Sequence, residues 1–118
     1  MLKKKYRLPR RDGGVVFKQG RTFGNAFFLT KVKNNHLFYS RLAFVVPSKI
    51  EKKPTKRNRL RRRVYEVLRH QYKLIREGLD ILIIVQNPKI FKKTYPEIEK
   101  ELKNTLQKAK LLRSRSFH

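Results

Sequence analysis

Leu60, Val64, Val67, Leu68, Tyr72 and Ile75 recur at i, i+4, i+7 and i+8, which lines them up as one apolar stripe on a helix. The pattern predicts a helix over Lys56 to Glu77, with Thr55 as N-cap and Gly78 as its C-terminal stop. Asp80 to Gln86 (DILIIVQ) then reads as a continuously apolar strand, central in its sheet and ended by Asn87-Pro88. A last helix starts at Thr94, whose spacing to Glu97 makes a capping box, and buries Ile98, Leu102, Leu106 and Ala109.

Upstream, Ala26 to Lys33 (AFFLTKVK) is rich in aromatic and β-branched residues and reads as a strand. Asn34-Asn35 is a turn signal, and Ser40 to Val46 reads as the antiparallel partner, stopped by Pro47 because proline cannot donate to a ladder. A short helix runs from Asp12 as N-cap to Gly20, although Gly13 and Gly14 cost it roughly 1 kcal/mol each relative to alanine. Residues 1–11 read as an extended basic arm and 112–118 as a basic, frayed tail. The order is αβββαβα or αββαβα, an α+β fold built as a two-layer α-β sandwich. It comprises a small four-stranded sheet and three helices, and the long helix closes a β-α-β crossover. A chain of 118 residues fits one domain.

Charge changes the picture more than composition does. The chain carries 32 Lys and Arg against 8 Asp and Glu, a net +24. Self-repulsion on that scale is tolerable when a polyanion neutralises it and releases its condensed counterions. Residues 1–65 hold 20 basic and 2 acidic side chains, so the polyanion-binding surface is expected from the first half. With 39% hydrophobic residues the chain is too apolar to be disordered.

There is no cysteine, which removes disulfides and thiolate chemistry. No apolar segment follows the Lys-rich start, and the longest aliphatic run, Ile81 to Val85, is far too short to span a bilayer. A cytoplasmic protein without membrane contact is expected. His36, His70 and His118 are scattered, with no metal-ligand spacing. Glu97 and Glu101 share a helix face, but their first-turn position suits the helix macrodipole better than acid–base chemistry. No catalytic residue and no metal ligand is expected in the protein.

Lys49 to Arg63 (KIEKKPTKRNRLRRR) packs nine basic residues and one acid into the start of the long helix. Asn58, Arg59, Arg62, Glu66 and Arg69 point away from the apolar stripe, while Arg57, Arg61 and Tyr65 flank one edge of it. Cations at a helix N-terminus oppose the macrodipole, so their repetition points to phosphate binding through guanidinium forks. Small basic ribosomal proteins, other structural RNA binders and a protein-only nuclease share this charge and size, and they remain alternatives.

Arg57-Asn58-Arg59-Leu60-Arg61-Arg62, ending at Glu66, resembles the RNR motif of the bacterial ribonuclease P protein, R-N-R-x-K-R-x-x-R-E. Arg61 stands at the motif's Lys and Tyr65 at its last Arg. Arg7-Leu8, Val16 to Gly20, Arg41 to Lys49 and Asp80 to Val85 resemble other parts of the family. The resemblance implies a subunit that binds a catalytic RNA and the 5′ leader of precursor tRNA and assists leader removal. Mg²⁺ would be held chiefly by the RNA and not by the protein, with one protein monomer per RNA. By the same resemblance, Lys49, Lys53, Lys56, Arg57, Asn58, Arg59, Arg61, Arg62 and Tyr65 contact the RNA. Phe17, Lys18, Phe27, Lys31 and Arg41 would line a leader cleft between the first helix and the sheet, and the β-α-β crossover would be left-handed. Phe17 has a second reading as a core residue, and Gly13 lies near where the family often places another cleft Phe.

Overall fold

The computed structural model describes residues 2–113. Along the chain it places α1 (Arg10–Gln19), β1 (Arg21–Gly24), β2 (Phe28–Asn34), β3 (Arg41–Val45), α2 (Pro54–Gln71), β4 (Leu79–Val85) and α3 (Tyr95–Lys108). Short 3₁₀ turns lie at Lys4–Tyr6, Tyr72–Leu74 and Pro88–Lys92. The four strands form one sheet in the order β1-β2-β4-β3.

The apolar run of β4 is central, as its composition requires, and it is flanked by β2 antiparallel and β3 parallel. Ser40 to Val46 therefore does not pair with the strand before it. The reason lies at Asn35, whose backbone N–H donates to the Gly78 carbonyl and whose side-chain amide donates to Asp80. The chain leaving β2 is thus tied to the entrance of β4, and no tight hairpin forms. Gly78 makes that entrance possible by adopting φ +79°, a left-handed conformation that favours glycine. The β3-α2-β4 connection is the expected β-α-β unit. The strand at Arg21–Gly24 pairs with β2 on the sheet's outer edge, and four mostly exposed residues carry no alternation by which to recognise it.

The two faces of the sheet bear different loads. Phe28, Val32, Leu42, Phe44, Ile81, Ile83 and Val85 point to one face and are buried beneath the apolar stripes of α2 and α3. α3 begins at the capping box as expected, with the Thr94 hydroxyl accepting from Glu97 N–H and the Glu97 carboxylate accepting from Thr94 N–H. On the other face, Leu8 and Val16 of the N-terminal region pack on Leu82. There α1 crosses only part of the sheet, and Gly20 lets its end lie against the Val32 backbone. A Cβ on Gly20 would come within 2.5 Å of the Val16 carbonyl oxygen.

Three boundaries shift from expectation. α1 starts at Arg10 behind Pro9, because Pro9 presets the entry geometry and the Asp12 carboxylate is engaged by Arg41 and does not cap the helix. Residues 2–8 are not a free arm. Leu2 and Leu8 are buried, Leu8 N–H donates to the Leu42 carbonyl on the outer edge of β3, and Tyr6 stacks on Tyr72 at 4.2 Å between centroids. α2 starts at Pro54 and ends at Gln71, not Glu77, because the Tyr72 hydroxyl donates to the Ser40 carbonyl and a 3₁₀ turn follows. Of the tail, Leu112 bridges to Ile75 and Arg113 pairs with Glu77, while 114–118 lie outside the described residues.

Candidate nucleic-acid interface

Lys53, Lys56, Asn58, Arg59 and Arg62 are exposed, and so is Lys49 in the preceding loop. No cation between Lys49 and Arg63 forms an ion pair among the described residues. The acid of the segment, Glu51, accepts instead from the Lys53 backbone N–H. Several uncompensated ammonium and guanidinium groups on the first turns of one helix form a field that attracts phosphate and repels other cations.

The residues of this array do different work. The Arg57 guanidinium donates to the carbonyls of Glu51 and Lys52 at 2.8 and 2.9 Å, so it organises the loop that carries Lys49 to Lys53. Arg61 donates to the Asn58 side chain, which holds the pair in register on the helix surface. Further along, the Arg69 guanidinium bonds the Glu66 carboxylate and lowers its pKa to about 2. Tyr65 is a correction. It is buried, and its hydroxyl accepts from Phe44 N–H at 3.1 Å, which caps the open edge of β3. The family resemblance implied an RNA contact for it, but that edge of α2 packs onto β3, where the Tyr65 ring is buried.

A second surface lies where α1 leaves the sheet uncovered. Leu29, Lys31, Ala43, Val45, Leu82 and Ile84 share that face by register. Val45 is 41% exposed and Leu29 and Ile84 are half-buried. Phe17, at 49% exposure, stands on α1 beside them, with the Lys31 ammonium 5.1 Å from its ring centroid. Lys31 also donates to the Thr22 hydroxyl at 2.6 Å, which fixes the ammonium against the ring. Phe17 is therefore a solvent-facing aromatic and not a core residue. Gly13, one turn before it, faces open space. The apolar floor of Leu29, Val45 and Ile84 went unread in the sequence, although Leu29 shares strand parity with Lys31.

The other three residues expected in this cleft are placed differently. Lys18 is exposed on α1. Phe27 lies just before β2 and packs against the main core, with the Lys93 ammonium 4.7 Å from its ring. Arg41 is captured by carboxylates. Its Nε and Nη2 donate to the two oxygens of Asp80, and its Nη1 donates to Asp12 at 3.3 Å. The hydrogen bond with Asp80 raises the Arg41 pKa. With two carboxylates against one guanidinium, Arg41 adds no net attraction for a phosphate.

Among the described residues no group of three or more His, Cys, Asp or Glu side chains could hold a metal ion. Glu97 is committed to its capping box and Glu99 to Lys103. No helix among the described residues is long and apolar enough to cross a membrane.

A family model described as Ribonuclease P matches residues 2–110. The ribonuclease P protein component of a Pseudanabaena species is 32% identical over 114 residues, covering 95% of this chain and 97% of that relative. The corresponding protein of Thermotoga maritima is 41% identical over 75 residues, a match that spans 64% of this chain and 63% of the relative. Among solved structures, a T. maritima RNase P protein superposes with a TM-score of 0.78 at 34% identity, covering 86% of this chain and 97% of that one. A Staphylococcus aureus RNase P protein reaches a TM-score of 0.84 at 25% identity, with 92% of each chain covered.

Proposed function

The chain belongs to the ribonuclease P protein family, and from that premise we propose that it is the protein subunit of a ribonuclease P, binding the catalytic RNA through α2 and its preceding loop and the 5′ leader of precursor tRNA in the cleft beside α1. The observation that carries the reading is the run of cations from Lys49 to Arg63 without an ion-pair partner among the described residues. Such a surface is unfavourable in isolation and favourable against phosphate.

The division of labour follows from what each surface offers. Lys49, Lys53, Lys56, Arg59 and Arg62 supply charge and guanidinium forks to the RNA backbone, with Arg57 ordering the loop and Arg61 and Asn58 paired beside them. Phe17 offers a ring on which an unpaired base of the leader stacks, at about 1–3 kcal/mol and without sequence preference. Lys31 lies beside the ring to meet the adjoining phosphate. Among the described residues no cluster of carboxylates offers a catalytic Mg²⁺ site. The metal that supports cleavage would be bound by the RNA, and the protein contributes binding and positioning, one copy per RNA.

The test is reconstitution. With a bacterial ribonuclease P RNA and precursor tRNA, the full chain should release the 5′ leader at a Mg²⁺ concentration where the RNA alone is slow. The protein alone should leave the substrate intact. Cleavage by the protein without RNA, or selective recovery of ribosomal RNA in its place, overturns the reading.

A further inference from the structure

The α2 surface has a second cationic edge, on the side of its buried stripe away from Arg57 and Arg61. There a cavity of about 250 Å³ opens between α2 and the segment leading into α3. Lys56, Arg59 and Arg63 line it from α2, and Lys93 and Tyr95 from the opposite wall. Its floor is apolar, made partly by Leu60 and Ile98, each only 4% exposed.

Two features separate this cavity from a generic basic surface. The first is the absence of counter-charge. None of its four cations forms an ion pair among the described residues, and Glu97 nearby is held by Thr94 N–H at 2.7 Å. The second is the aromatic arrangement. The Arg63 guanidinium lies 5.7 Å from the Tyr95 ring centroid, and Phe91 lines the same cavity. A site for a bare anion needs no ring and no apolar floor, and a site for an apolar group is spoiled by four charges. Both together suit a flat π-system attached to a phosphate. The volume falls below the roughly 300–1,000 Å³ typical of sites for drug-sized ligands, which suits one nucleotide and excludes a helix.

We propose that this groove receives a single unpaired nucleotide of the partner RNA, its base stacked on the Tyr95–Arg63 pair and its phosphate held between Lys56 and Lys93. The inference rests on the reading of the chain as a subunit bound to a catalytic RNA. The groove lies on the helical side of the sheet, opposite the face that carries Phe17 and Lys31, so the strand that enters it belongs to the RNA subunit and not to the leader.

The experiment measures affinity of the full chain for a bacterial ribonuclease P RNA over a range of salt, with thermal unfolding to verify that each variant folds. Tyr95→Leu should weaken binding by about 5- to 150-fold, the range for loss of one base stack, with an unchanged salt slope. Tyr95→Phe, which keeps the ring, should bind as the parent does. Lys93→Gln should lower the slope of log Kd against log salt by about 0.7, one single-strand phosphate. A folded Tyr95→Leu variant of parental affinity, or a Lys93→Gln variant of parental slope, overturns the inference. If Arg62→Ala weakens binding while these groove variants do not, the subunit reading stands and the groove serves something other than RNA, a protein partner included. If the parent chain itself does not bind the RNA, both fall.

Discussion

Arg41 on β3 grips both carboxylate oxygens of Asp80 on β4, Nε at 2.9 Å and Nη2 at 2.7 Å, and reaches Asp12 on α1 with its remaining nitrogen. Three elements thus meet at one guanidinium, and the Asp80 side chain is only 8% exposed. Removing one partner of a buried pair leaves the other charged and unpaired, which costs about 3–5 kcal/mol. Arg41→Ala should therefore lower unfolding stability by about 3 kcal/mol, since Asn35 still donates to Asp80. In a double-mutant cycle with Asp80→Asn, urea unfolding should show the two losses strongly non-additive. A stable Arg41→Ala protein with weakened leader binding would instead make Arg41 a contact residue.

Phe17 is the exposed ring of the cleft, so Phe17→Ala should weaken binding of the holoenzyme to precursor tRNA by about 5- to 150-fold. Mature tRNA, which lacks the leader, should bind unchanged. Equal losses for the two ligands remove the stacking role.

Arg57 and Arg62 look alike in the motif and differ in the fold. Arg62→Ala should weaken RNA binding, with a salt slope lower by about 0.7–0.9 and no change in stability. Arg57→Ala should weaken binding and also loosen the loop, because the Glu51 and Lys52 carbonyls lose their donor. Amide exchange in residues 49–53 distinguishes them: faster for Arg57→Ala, parental for Arg62→Ala.

The capping box carries a pH signature. Hydrogen bonding of the Glu97 carboxylate by Thr94 N–H holds its pKa below the ordinary value. A carboxyl group depressed in the folded state contributes stability above its unfolded pKa of about 4.3, and loses it as pH falls through the lower folded value. Glu97→Gln keeps an acceptor in the box and removes the charge. The variant should melt below the parent at pH 7, and the gap should close as the pH drops below about 4. A gap independent of pH would assign the effect to packing.

The amino-acid sequence alone determined what depends on near neighbours. The i, i+4 stripe of α2, the unbroken apolar run of β4, the Thr94–Glu97 box and the concentration of cations before Glu66 are all short-range patterns, and each was legible. The motif that marks the family lies within one such pattern. Tertiary structure decided what depends on residues far apart. Leu2, Tyr6 and Leu8 were hidden among six charges until β3 and Tyr72 gave them something to pack on. Arg41 meets Asp80 across 39 positions and Tyr65 meets Phe44 across 21, so no local pattern could tell that these two side chains are held while Phe17 and Arg62 face outward. Charge and ring are set by residue type, but whether they remain free for a ligand is set by what the fold brings beside them.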